Sequence, residues 1–269
     1  MTRRTRFDYK GKFALVTGAS KGLGKAYAEE LAARGSNLVL VARSKAELET
    51  LAVALRRDYK VRAEVIQADL GDMSAPSTIA EGLERIGIQP DLLLNNAAVG
   101  YSGRFFSRPL GEELIPVVVN VQSLVELTHV LGKKMVARGS GGIINIGSNG
   151  GFQPVPYNAT YSATKAFVLL FSEAVAEELK GSGVRMMIAN PGPTATEFFV
   201  QSPTSIKLEK MDSAQSVARR TLDDFSRGKV VSYPGRLSTR VSTWISRILP
   251  RGLTTALVAH VSRSMGFDR

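Results

Sequence analysis

The chain has 269 residues, 44% of them hydrophobic and 7% aromatic, which suits one large α/β domain with a sizeable core, or two small domains, and excludes a disordered chain. It has no cysteine, so disulfides, thiolate catalysis and cysteine-ligated metals are excluded. A formal net charge of +11 points to anionic partners, phosphates among them.

The start is basic and then apolar, but "FALV" is too short for the apolar region of a signal peptide. No stretch reads as reaching the ~18 apolar residues of a membrane span, so the expected location is the cytoplasm. "KFALVT" (12–17) predicts a strand feeding a glycine loop, and "YAEELAARG" a helix stopped by Gly35. Residues 37–42 predict a second strand, and "KAELETLAVALRRD" a helix with Leu48, Leu51 and Leu55 on one face. Residues 61–68 and 91–95 predict the third and fourth strands. "ELIPVVVNVQSLVELTHVLGKKMVARG" predicts one long helix in spite of Pro116, 141–148 a fifth strand, and "NATYSATKAFVLLFSEAVAEELKGSG" a second long helix. "VRMMIANPG", "SAQSVARRTLDDFSRG" and "KVVSYPG" predict the sixth strand, a helix and the seventh strand. Continuous apolar strands separated by helices argue a parallel sheet covered on both faces. The expected fold is therefore α/β, a doubly wound parallel seven-stranded sheet of the Rossmann kind. It forms a single domain over residues 1–235, with a helical C-terminal extension over 236–269.

"TGASKGLG" (17–24) lies between the first strand and the first helix. Gly18, Gly22 and Gly24 let the backbone turn sharply and approach a pyrophosphate, to which the helix N-terminus offers free N–H groups. In this fold an acid at the end of the second strand ordinarily bonds a ribose 2′-hydroxyl. Here Ala42 and Arg43 stand in its place. The planar guanidinium of Arg43 suits a 2′-phosphate, with Ser20 and Lys21 within reach, so the sequence favours NADP(H) over NAD(H).

Tyr161 and Lys165 sit at i and i+4 of a predicted helix and so share a face. An ammonium beside a phenol favours the phenolate; bringing a tyrosine from pKa ~10 to ~7 takes about 4 kcal/mol. Such a tyrosine serves as general acid for carbonyl reduction, or as base for alcohol oxidation. Ser148 ends the fifth strand, where a hydroxyl can donate to a substrate oxygen. Asn120 interrupts an apolar helix and is expected to hold a water linking Lys165 to solvent.

"TGASKGLG", "NNAA", Asn120, Ser148 and "YSATK", in this order and spacing, resemble the short-chain dehydrogenase/reductases, from about Lys12 to Tyr233. The resemblance implies an oxidoreductase that uses NADP(H) to interconvert a carbonyl and an alcohol. Tyr161 is then its proton donor and acceptor, Lys165 the partner that sets its pKa and touches the nicotinamide ribose, Ser148 the carbonyl orienter, and Asn120 the relay asparagine. It places Gly18, Ser20, Lys21, Gly22, Leu23, Gly24 and Arg43 on the cofactor, with Asp69 and Leu70 at the adenine. Asn95, Ala97, Pro191, Gly192, Thr194 and Thr196 complete that list. It also suggests a homodimer or homotetramer built through helices 112–138 and 158–180. The alternative is a non-catalytic NADPH-binding regulator or scaffold on the same fold; against it, all four catalytic positions hold competent residues. A sugar-nucleotide epimerase fits less well, because a large C-terminal substrate domain is lacking.

The segment from Pro193 to Met211 reads as a lid with Phe198, Phe199, Val200 and Ile206 inward, and Phe152, Val155 and Tyr157 are expected to line the same pocket. An apolar pocket suits a hydrophobic carbonyl: acyl, steroid or aromatic. From Lys229 onward there are seven basic residues and one acid, Asp268. "TRVSTWISRIL" places Val241, Trp244, Ile245, Ile248 and Leu249 on one helical face, flanked by Arg240, Arg247 and Arg251. Such a helix suits a membrane surface, a cover over the pocket, or packing on its own domain or another subunit. His129 and His260 are too few for a metal site, and no motif supports nucleic-acid binding.

Overall fold

The computed structural model describes residues 6–198 and 211–268, with backbone alone at Ile245 and Arg247. Strands β1 (Phe13–Thr17), β2 (Asn37–Ala42), β3 (Ala63–Gln67), β4 (Leu92–Asn95), β5 (Gly141–Ile146), β6 (Val184–Ala189) and β9 (Val231–Ser232) form one seven-stranded sheet in the order β3-β2-β1-β4-β5-β6-β9. Every pairing is parallel. Successive side chains alternate faces. Ala14, Val16, Leu38 and Leu40 therefore pack beneath helices α1 (Gly22–Ala33), α2 (Lys45–Tyr59) and α7 (Ala214–Ser226). Leu15, Val39, Val41 and Leu93 face the other layer, with α3 (Ala75–Arg85) and α5 (Ser123–Ala137). Two covered faces explain why these strands read as unbroken apolar runs. The strand order reverses between β1 and β4, which opens a crevice beyond their carboxyl ends.

The first predicted long helix is broken into α4 (Leu110–Val117), a π turn (Val118–Gln122) and α5. Pro116 has no N–H to give the helix ladder, and the wide turn follows directly. The stretch Leu110–Ala137 has 28 residues and a mean hydropathy of 1.6 over 18 of them, so it is long and apolar enough to cross a membrane, contrary to the sequence expectation. In the fold its Leu124, Leu127, Leu131 and Met135 are buried within the domain. Helix α6 (Ala159–Glu178) covers the same layer further along the sheet.

Helix α3 is absent from the sequence reading; its signals were Pro76 in the first turn and Ile79 and Leu83 four residues apart. Strand β9 is shorter than the predicted 229–235, because Pro234 has no donor with which to continue the ladder. A two-stranded parallel ladder, β7 (Thr194–Ala195) with β8 (Asp212–Ser213), was also unforeseen. The expected lid residues Phe199, Val200 and Ile206 lie outside the described residues. After β9 the chain forms α8 (Leu237–Ile248) and α9 (Arg251–Ser264), separated at Pro250. Helix α8 packs against the loop after β6: a methyl group on Gly192 would lie 2.6 Å from Thr239 Oγ1.

Candidate active site

The crevice holds a cavity of about 1760 Å³. That exceeds the roughly 300–1,000 Å³ of a site for one small ligand and leaves room for two molecules side by side. The glycine loop forms one wall. Gly18 and Gly22 have φ of +65° and +55°, which side chains other than glycine's rarely adopt. A methyl group on Gly24 would stand 2.0 Å from the Gly18 carbonyl oxygen, so only glycine lets α1 start this close to β1. The loop is tied to the end of β4: Thr17 Oγ1 accepts from the backbone N–H of Asn96 and of Ala97, both at 3.0 Å, and Asn96 Nδ2 donates to the Thr17 carbonyl at 2.9 Å.

Ser20, Lys21, Leu23, Arg43, Asp69, Leu70, Ala97, Pro191, Gly192, Thr194 and Thr196 line the cavity with the loop glycines, as do Ser148, Tyr161 and Lys165. Two predicted site residues do not. Asn95 is buried, donating to Thr128 Oγ1 at 3.0 Å and Asn145 Oδ1 at 2.9 Å; it ties β4 to its neighbours, and Asn96 faces the cavity instead. Asn120 is also buried. Its Oδ1 accepts from the N–H of Val99 at 2.9 Å, and its Nδ2 donates to the Val99 carbonyl at 2.9 Å and to Thr164 Oγ1 at 3.0 Å. The π turn thus turns Asn120 into a clamp on the 99–100 segment, and its side chain is not aimed at Lys165.

Tyr161 and Lys165 share a face of α6, with Lys165 Nζ 5.7 Å from the tyrosine ring centroid. Nζ donates to the Ile146 carbonyl at 2.8 Å. Burial pushes the Tyr161 phenol up to about 12, partly offset by a hydrogen bond with Ser148. Burial also brings Lys165 down to about 8. Without the cofactor, desolvation outweighs the Ser148 hydrogen bond and the phenol stays above its ordinary value; the expected lowering drew on a lysine, a positive nicotinamide and hydrogen bonds acting together. Ser148 Oγ accepts from the N–H of Gly150 at 3.1 Å, which fixes the hydroxyl at the cavity wall.

A profile of the short chain dehydrogenases matches residues 12–206. The chain belongs to the short chain dehydrogenase family. Very-long-chain 3-oxoacyl-CoA reductase-B of Danio rerio is 37% identical over 199 residues, which is 72% of this chain and 63% of that protein, so the match spans less than two thirds of the relative. A short-chain dehydrogenase from Sphingobium yanoikuyae, solved in complex with NADPH, is 33% identical, with a TM-score of 0.79 over 88% of this chain and 93% of that one. The bulky-bulky ketone specific alcohol dehydrogenase from Comamonas testosteroni is 30% identical, with a TM-score of 0.75 over 89% and 95%.

The substrate side of this short chain dehydrogenase differs from the sequence reading. Phe198 and Val155 line the cavity as expected, and the Phe198 ring lies 5.4 Å from that of Tyr161. Phe152 instead packs against Tyr233, and Tyr157 accepts from Arg263 of α9 at 3.4 Å. The sequence reading missed Gln153, Asn158 and Thr254, each lining the cavity with a buried side-chain oxygen that lacks a protein partner. No local pattern marks Thr254, which reaches the site only because α9 folds back over it. Gly100 was missed too. A methyl group there would lie 2.6 Å from Tyr161 Cδ2 and 3.1 Å from Phe198 Cζ. Gly100→Ala is expected to push the phenol aside and lower kcat about tenfold or more, with cofactor affinity unchanged; steady-state kinetics beside a binding titration check this.

Proposed function

We propose that this short chain dehydrogenase is an NADPH-dependent reductase of bulky hydrophobic ketones, 3-oxoacyl thioesters foremost among them. The observation that carries the reading is a phenol beside a serine hydroxyl and a buried lysine, on the wall of a cavity large enough for cofactor and ketone. Reduction begins from the protonated phenol, the form that burial favours.

The residues fit a phosphorylated dinucleotide. The loop leaves no room for a side chain at Gly18 or Gly24, and α1 opens at Gly22 with its N–H groups toward the cavity. Beyond β2, Arg43 and Ser44 precede the N-terminus of α2 and line the cavity with Ser20 and Lys21, a basic, hydroxyl-bearing corner suited to a 2′-phosphate. When bound, NADPH supplies the hydride. Ser148 donates to the ketone oxygen and aligns it, and Tyr161 Oη delivers the proton to that oxygen. The Lys165 ammonium then faces the phenolate left behind, and Asn120 holds the 99–100 backbone against the ring as a positioning residue.

The ketone end is walled by Phe198, Val155, Leu257, Val258 and Met265, with the unpartnered oxygens of Gln153, Asn158 and Thr254 among them. Apolar walls with a few polar points suit a long acyl chain carrying a second carbonyl. That agrees with what the zebrafish relative and the Comamonas enzyme are named for. Exposed Leu114, Val117, Phe167 and Leu170 on the two long helices support the expected homo-oligomer.

Titration of the protein with NADPH and with NADH tests the cofactor. Affinity for NADPH is expected to be at least about tenfold higher, ~1.4 kcal/mol, and Arg43→Ala is expected to remove most of that preference. Equal affinities in the wild type would sink the 2′-phosphate assignment.

A further inference from the structure

Helices α8 and α9 are amphipathic with the wrong side out. On α8, Ser238, Thr239, Ser242 and Ser246 line the cavity. Its apolar residues lie on the opposite side: Leu237 is 73% exposed, Val241 53%, Trp244 53% and Ile248 78%. Their spacing of four, three and four residues makes one continuous stripe. On α9, Thr254 and Ser262 are buried, whereas Leu253, Leu257 and Val261 are each about half exposed. A helix that covers a pocket on a water-facing surface ordinarily has the reverse arrangement, polar side chains outward.

Charge indicates what covers this face. Between Asp224 and Asp268 the sequence contains no acidic residue. Arg236, Arg240, Arg251 and Arg263 are exposed around the apolar stripe. A second copy meeting this face about a two-fold axis would set arginines against arginines, which opposes self-association. An apolar stripe with a tryptophan at its middle and arginines along its flanks has the composition of a helix lying in the interface of an anionic bilayer.

We propose that the α8–α9 hairpin docks this protein on an anionic phospholipid surface, with the stripe from Leu237 to Ile248 and Leu253 of α9 entering the headgroup layer. Leu257 and Val261 line the cavity and are also half exposed, so the cavity rim belongs to the docking face. A lipid ketone dissolved in the bilayer then reaches the site from the membrane side without crossing water. That route rests on the ketone-reductase reading above; the docking does not.

The test is co-sedimentation of the full chain with vesicles of phosphatidylcholine alone and of phosphatidylcholine with phosphatidylserine. Binding to the anionic vesicles is expected to be at least about tenfold tighter and to weaken as salt is raised. L237S/W244S/I248S and R240E/R251E are each expected to weaken it about tenfold or more, with melting temperature and turnover of a water-soluble ketone unchanged. The salt titration uses the wild type and needs no variant to fold. Failure to bind either vesicle overturns the proposal. So does equal binding to both kinds that R240E/R251E leaves intact, or a concentration-dependent dimer abolished by L237S/W244S/I248S in a protein that ignores vesicles. Turnover of the soluble ketone without vesicles separates the two readings, because its absence sinks the reductase and leaves the sedimentation result standing.

Discussion

Tyr161→Phe is expected to lower kcat for ketone reduction by about 10²–10⁴-fold, the usual contribution of a positioned general acid, while NADPH affinity stays within about twofold. The substitution removes one oxygen and leaves the ring that packs beside Phe198 and Gly100. Ser148 can still orient the carbonyl, but the nascent alkoxide then lacks the phenol proton positioned beside it. Single-turnover kinetics alongside a binding titration separate the two effects. Turnover retained within tenfold would assign the proton to another group.

Lys165→Met is expected to abolish most turnover and yet raise the melting temperature by a few degrees at pH 7. Burial brings Lys165 from 10.5 down to about 8, so the folded chain disfavours its charged form. At ~1.36 kcal/mol per unit, holding the ammonium buried below pH 8 destabilises the fold by about 3 kcal/mol, of which the bond to Ile146 returns a part. Between pH 8 and 10.5 the unfolded chain still binds this proton and the folded chain has released it. Wild-type stability therefore rises with pH across that window, and the advantage of Lys165→Met shrinks. Thermal melts at pH 7 and pH 10 measure both ends; a variant that melts lower at pH 7 would contradict this reading of the site. The same titration sets an alkaline limit on catalysis. As Lys165 loses its proton above about pH 8, the phenolate loses its counter-charge and kcat/KM for reduction is expected to fall.

The sheet was legible because strands buried on both faces have to be apolar throughout, and the glycine loop because only glycine tolerates the backbone of Gly18 and the contact at Gly24. The candidate site was legible where residue type and spacing bring groups to one cavity wall, as at Ser148, Tyr161 and Lys165. It was not legible where function depends on direction. Asn95 and Asn96 are neighbours, and the alternation of a strand sends one into the core and the other to the cavity. The spacing of Tyr161 and Lys165 predicted their shared face but not the balance of burial and charge, which decides that the phenol's pKa moves up. Thr254 became a neighbour of the site only through tertiary folding, since α9 returns over the cavity from the far end of the chain.

The central claim is that this cavity reduces a hydrophobic ketone at the expense of NADPH. The most direct measurement mixes the protein with NADPH and a series of 3-oxoacyl thioesters of increasing chain length, and follows loss of the reduced nicotinamide against 3-hydroxyacyl product. The account predicts one product per NADPH consumed, kcat/KM rising with chain length, and loss of the reaction in Tyr161→Phe. Tight NADPH binding without oxidation of the cofactor by any of these thioesters or by bulky aromatic and steroid ketones would contradict it, and would leave a cofactor-binding protein in place of a reductase.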